Sequence, residues 1–233
     1  MVAGLIKGAV GVGLPTVVVG LLGIVMPPAQ AAALMVLPAI ATNTWQMLAG
    51  PALARLLRRF ATMTVGVFIG TFSTIDLMTR TSPAAGAVLG LALAAYGAYG
   101  LFGRRFQVGE RAERWLSPVI GLLTGMLSGA TGVFVIPTVP YLASLRMTSE
   151  ELVQSIGILA FVCPLALVLA LWTDGAYRAE VAGASTLALV PALAGMYVGQ
   201  RLRRRLSAAT FMRWFFAAIV ALGAYMFYRS ITS

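Results

Sequence analysis

The residues of this chain best suited to chemistry lie in two glycine-rich clusters. The first runs Gly8-Ala9-Val10-Gly11-Val12-Gly13-Leu14-Pro15-Thr16. The second runs Gly125-Met126-Leu127-Ser128-Gly129-Ala130-Thr131-Gly132, with Pro137 and Pro140 after it. Glycine weakens a helix through its backbone freedom, and proline removes a donor and clashes with the preceding turn. An apolar segment built this way is predicted to break. A break frees N–H groups at the start of the following half-helix, where the aligned peptide dipoles are positive. The chemistry on offer is therefore anion binding. Thr16, Thr124, Ser128 and Thr131 add hydroxyl donors, and Gly8, Gly11, Gly13, Gly129 and Gly132 let a ligand approach the backbone. Lys7, the only lysine of the chain, adds a full positive charge. A second reading stays open beside this one. GxxxG spacing, found at 4–8, 66–70, 86–90, 121–125, 125–129 and 195–199, also lets membrane helices pack closely. Lys7, near the chain start, is equally able to snorkel to an interface.

Asn43 and Gln46 lie one helical turn apart in an apolar stretch, after Thr42. A polar face there either bonds a neighbouring helix or faces a substrate path. Gln154 and Ser155 hold a loosely corresponding place later in the chain. The missing residue types narrow the field further. There is no histidine, which removes imidazole bases, proton relays and metal ligands together, and the single cysteine, Cys163, supports neither a disulfide framework nor a thiolate metal site. Asp76, Asp174 and Glu180 sit at the ends of apolar blocks, and Glu150 and Glu151 at the start of one. A cation pathway usually needs carboxylates in mid-span, so cation transport is disfavoured. No carboxylate pair or activated nucleophile is visible, so neither an enzyme nor a cofactor is expected. The glycine clusters lack the GK[ST] signature of a nucleotide loop.

The elements that must carry these residues are membrane helices. Of 233 residues, 60% are hydrophobic and only 10% charged, against roughly 25% charged in a soluble domain. The apolar residues come in eight blocks, about 2–25, 29–50, 61–79, 84–102, 117–143, 151–172, 181–200 and 209–229. Blocks of about 20 residues match a bilayer span, whereas a β-barrel would show short alternating segments. The first block is Gly-rich, lacks a basic lead-in and recurs later, so no cleavable leader is read there. The net charge is +10. Its arginines are confined to the short gaps between blocks, which is the positive-inside pattern of a membrane protein rather than a nucleic-acid surface.

The chain also repeats itself. GLIKG at 4–8 returns as GLLTG at 121–125, GVFIG at 66–70 as GMYVG at 195–199, and ALAAYGAY at 92–99 as ALGAYMFY at 221–228. The last two pairs share an offset of 129 residues, and that offset gives nine identities across 66–99, which favours a duplication over chance. Repeats over 1–103 and 116–233, joined by a cytoplasmic linker at 104–115, follow. Basic residues come after blocks 2 (Arg55, Arg58, Arg59), 4 (Arg104, Arg105, Arg111, Arg114) and 7 (Arg201, Arg203, Arg204, Arg205). Eight plain crossings would put the last group on the wrong side. The conflict disappears if block 5 enters and leaves on one side, and by symmetry block 1 does so from the other. The expected fold is thus all-α, with two inverted repeats whose first segments are broken or re-entrant. Eight plain spans with one loop violating the charge bias is the rival.

The two glycine clusters at the head of each half, and the ending GQRLRRRLSAATFMRWFFAAIVALGAYMFY, resemble the TauE/SafE family of sulfite-exporter and sulfonate-permease membrane proteins. MPPAQAAALMVLPAIATNTWQM is similar to the family's second span, with its Pro-rich lead-in and its asparagine near the end. In the first cluster Leu14-Pro15 follows Gly13 at once, where members often carry a longer interval. The resemblance covers nearly the whole chain and implies outward movement of small sulfur-containing anions across a bacterial inner membrane. By motif match it assigns Gly8, Gly11 and Gly13 to the first glycine cluster, Gly125, Ser128, Gly129 and Gly132 to the second, and Asn43 to the span-two asparagine. The expected function is a secondary transporter, with a passive anion channel or a non-transporting scaffold as alternatives. The expected partners are a small anion and the lipid bilayer, with no nucleic acid; the oligomeric state is left open, a homodimer being one option.

Overall fold

The computed structural model describes residues 3–5, 7, 18–19, 21–22, 26–48, 50–79, 83–102, 107–175, 179–203, 216–217 and 219–228. Among the described residues all regular structure is helical. The helices are α1 (Pro28–Leu48), α2 (Leu53–Arg59), α3 (Ala61–Thr79), α4 (Pro83–Phe102), α5 (Glu110–Thr131), α6 (Val135–Ser144), α7 (Ser149–Thr173) and α8 (Ala179–Arg203), followed by α9 (Ile219–Tyr228). Residues 3–5, 7, 18–19 and 21–22 are helical as well. Three stretches, Ala29–Leu48, Ala61–Thr79 and Ser149–Thr173, are long and apolar enough to cross a membrane. Trp45, Phe102, Trp115, Trp172 and Leu187 point their large apolar side chains outward, the surface that lipid rather than water accepts.

Local chemistry sets the helix ends. Pro28 opens α1, where its missing N–H costs nothing. Glu110 and Glu113 stand in the first turn of α5, where carboxylates favour the positive end of the dipole. That is why α5 begins at Glu110, inside the 104–115 stretch read as linker, and not at residue 117. Thr148 and Glu151 form a reciprocal capping box ahead of α7: Glu151 N–H donates to Thr148 Oγ1 at 3.2 Å and Thr148 N–H to Glu151 Oε2 at 2.9 Å. The stretch 117–143, read as one apolar block, is divided between two helices. Gly132 ends α5 in the left-handed conformation, φ 73°, with its N–H donating to the Ser128 carbonyl at 2.7 Å. The chain then turns back as α6. Thr124 meets Thr138, Ser117 meets Tyr141, and Val108 N–H donates to the Ser144 carbonyl at 2.9 Å. Residues 110–144 are therefore a helical hairpin with both ends together.

Glycines decide which helices touch. α3 and α5 run parallel and make the most extensive helix pair. Gly66 and Gly70 of α3, and Gly121, Gly125 and Gly129 of α5, each lie so near the partner backbone that an added Cβ would fall under 3.0 Å from it. Such a seam is the close approach that small-xxx-small spacing permits. Gly4 meets the Ala192 backbone of α8 in the same way. The pairs correspond: Gly4 and Gly121 open the two GLxxG stretches, 117 residues apart, and the residues they touch, Ala192 and Met63, are themselves separated by the 129-residue offset of the other repeats. In the α4–α9 pair, Gly223 lies against Ala94, its own counterpart at the 129-residue offset. α1 packs antiparallel on α7, with Gly157 against Gln46 and Met47.

Candidate functional site

Two prolines inside helices create the acceptors around which the polar centre forms. Proline has no N–H, so the carbonyl four residues earlier loses its helical donor. Pro38 in α1 thus frees the Leu34 carbonyl, and Ser185 Oγ of α8 donates to it at 2.9 Å. Pro164 in α7 frees the Ala160 carbonyl, and Asn43 Nδ2 of α1 donates to it at 2.6 Å. In an apolar interior each such carbonyl, left bare, would cost several kcal/mol. Asn43 is therefore a bolt between α1 and α7, which is one of the two roles the sequence left open. Its other end does something further. Asn43 Oδ1 accepts from Lys7 Nζ.

Lys7 is the centre of this group. Its ammonium also donates to Thr42 Oγ1 at 2.6 Å, and the Thr42 hydroxyl donates in turn to the Pro38 carbonyl at 2.7 Å. Lys7 is 5% exposed, Thr42 4% and Asn43 2%. No carboxylate is among the described partners of Lys7. The two ion pairs recorded among described residues, Arg55–Glu151 and Arg59–Glu113, lie elsewhere. An isolated ammonium in mid-membrane costs about 3 kcal/mol even on permissive insertion scales. Two neutral oxygens offset only part of that, and no counter-charge stands beside Lys7 among the described residues.

The second cluster lines the hairpin. Thr124 and Thr138 share a hydrogen bond of 2.8 Å. Ser128 is buried, and its Oγ has no partner among the described residues. Thr131 Oγ1 donates to the Leu127 carbonyl at 2.6 Å and accepts from Val133 N–H at 3.2 Å, which closes the end of α5. Gly129 sits in the seam, against Thr71 and Thr74 of α3. Gly132, at the hairpin tip, faces Val19 and Ala32, so the tip lies beside the N-terminal residues and α1. Gly8, Gly11, Gly13 and Thr16 lie outside the described residues.

The structure thus brings Lys7 and Asn43 together. Gln46 is held apart from them: its Nε2 donates to the Val153 carbonyl at 3.1 Å, nearer the start of α7. Gln154 closes the α1–α2 corner, donating to the Met47 and Gly50 carbonyls at 2.9 and 2.7 Å and accepting from Ala52 N–H at 3.0 Å. Sequence reasoning missed Thr42 and Thr138 as partners, and it missed the Ala160 carbonyl. Pro164 was the available signal for that carbonyl.

At the end of the molecule where α3, α5 and α7 begin, charge is arranged differently. Arg59 grips Glu113 with two bonds, Nε to Oε1 at 2.6 Å and Nη2 to Oε2 at 2.8 Å. The Glu113 hydrogen bond raises the Arg59 pKa above its ordinary value, against the effect of burial. Arg55 pairs with Glu151, which also accepts from the Thr148 backbone N–H. The arginines of short helix α2 thereby clasp the first turns of α5 and α7.

Residues 1–226 match the protein family described as sulfite exporter TauE/SafE. No curated protein and no solved structure matches the chain.

Proposed function

The chain belongs to the sulfite exporter TauE/SafE family of membrane transporters, and on that premise we propose that it is a secondary transporter exporting small sulfur-containing anions, such as sulfite or sulfonates like sulfoacetate, with Lys7 as the charge that receives them. The observation that carries this reading is the Lys7 ammonium, buried against Thr42 and Asn43 with no carboxylate described beside it. A cation so held is stabilised by an anion and poorly stabilised without one. The Ser128 hydroxyl, without a partner among the described residues, and the Thr124–Thr138 pair are the hydroxyls that the hairpin brings to the proposed site. Thr16 and the amides about Gly8, Gly11 and Gly13 complete the proposed site.

Membrane placement follows from charge. The hairpin 110–144 enters and leaves on the face that carries Arg55, Arg58, Arg59, Arg111 and Arg114, and that face is cytoplasmic in a bacterial inner membrane. Two inverted repeats are supported by the matching contacts of Gly4 with Ala192 and Gly121 with Met63, and by the meeting of Ala94 with Gly223. The repeats interlock, because the hairpin of the second is seamed to α3 of the first. Alternating access would come from rocking one half against the other, with the α3–hairpin seam crossing between them.

Flux from proteoliposomes loaded with sulfite or sulfoacetate tests the proposal. Saturable export is expected from the wild-type chain, and about a hundredfold less or lower still from Lys7→Met. Saturable export by Lys7→Met at the wild-type rate would refute the role of Lys7. Flux that rises without saturation, with open-pore currents, would make the protein a channel.

A further inference from the structure

A second anion site is built at the mouth of the hairpin. A cavity of about 460 Å³ opens there, lined by Arg59, Thr62, Glu110, Glu113, Arg114 and Arg146. Its three guanidinium groups come from three places: the end of α2, the second turn of α5, and the turn after α6. Glu113 neutralises Arg59 through the two-bond pair. Arg114 and Arg146 are exposed and have no ion-pair partner among the described residues. Glu110 is the one further acid in the lining, so the cavity keeps an excess positive charge, three arginines against two carboxylates. Cationic forks converging on one hollow repel each other, and an oxyanion relieves this by accepting from more than one of them. Thr62 adds a hydroxyl, and the hairpin places this cavity at its open end, whereas Thr124 and Ser128 lie about three to four turns beyond Arg114 along α5.

We infer that this cavity captures the oxyanion before it reaches Lys7, binding it between Arg114 and Arg146, with Arg59 recruited when the anion competes with Glu113. The inference takes its ligand class from the transport reading above, but its site shares no residue with the Lys7 group. Field focusing in a positively lined cleft raises the local anion concentration and depends on ionic strength.

The experiment measures binding of radiolabelled sulfite, under argon, to purified protein in phosphatidylcholine nanodiscs, alongside flux with sulfite supplied on the Arg114 face. Two classes of site are expected in the wild type. Arg114→Gln/Arg146→Gln loses the weaker, salt-sensitive class. Its flux KM from that face rises about tenfold, equivalent to about 1.4 kcal/mol, with kcat within about twofold. Both side chains are exposed, so folding is preserved, and the Arg114→Lys/Arg146→Lys pair restores part of the affinity. Lys7→Met loses the other class only. A double variant that binds and transports like wild type overturns the capture site, as does one that lowers kcat alone. Binding that appears only when phosphatidylglycerol is present also overturns it, by making the cavity a lipid headgroup site. If Lys7→Met keeps both classes while the arginine variant loses one, the Lys7 reading fails and the capture site stands.

Discussion

Gly4 to Lys7 and Gly121 to Thr124 are the same device with different chemistry. Each opens with a glycine pressed on a neighbouring backbone, Gly4 on Ala192 of α8 and Gly121 on Met63 of α3. Three residues later, one carries an ammonium bound to Thr42 and Asn43, and the other a hydroxyl bound to Thr138. Packing is duplicated while charge is not. In the proposed site the single ammonium is the charge that an anion meets, and the hydroxyl at the matching place adds none. The shared glycines pack helices together, and the residues in which the two regions differ are those the proposed function gives to the substrate.

The largest test replaces the differing residue. Lys7→Met is expected to cut anion flux about a hundredfold or more, the loss that follows removal of one partner from a buried charged contact, while the purified protein remains folded. The shared feature is tested next. Gly125→Leu puts a side chain where a Cβ already falls under 3.0 Å from the α3 backbone. The seam must open, with a stability loss of about 3 kcal/mol, read as a lowered unfolding temperature with or without substrate. An unchanged unfolding temperature would mean the seam is not closed in the bilayer.

Asn43 joins the two categories, and a double variant separates them. Asn43→Leu alone strands the Ala160 carbonyl and releases Lys7, so both stability and flux should fall, stability by about 1–3 kcal/mol. Adding Pro164→Ala returns an N–H to that carbonyl. Unfolding temperature should recover in the double variant and flux should not. Recovery of both would show that Asn43 serves packing alone. Thr124→Val removes one hydroxyl from the Thr124–Thr138 pair, and about 0.6–1 kcal/mol of stability is the expected effect in a membrane interior. The smallest effect concerns the capping box. Thr148→Ala removes the acceptor of the Glu151 N–H, and a stability loss of about 0.5 kcal/mol is expected, read as a slightly lowered unfolding temperature.

Helix content and membrane character were legible in the sequence, because blocks of apolar residues separated by arginine-bearing gaps have one physical interpretation. The glycine clusters were legible as special places but not as single-purpose ones. Gly132 ends a helix, while Gly129, three residues before it, stays inside that helix and packs on α3. Composition alone does not separate these uses, since both ask for a missing side chain. Lys7 was visible as the only lysine, with snorkelling as its rival. Three-dimensional proximity to Asn43, 36 residues away, was needed to place it inward. The role of Asn43 toward Ala160 was hidden for a different reason: its partner is a backbone atom, marked only by a proline four residues further on.

The α3–α5 seam also bears on how the protein is made. Gly66 and Gly70 leave the ribosome some 50 residues before Pro118 and Leu122, whose backbones they touch. For that interval the nascent α3 carries a bare notch along one side, open to lipid or to the insertion machinery. A chain truncated before residue 130 leaves that notch uncovered, and its retention by the insertion machinery or its degradation is the expected outcome.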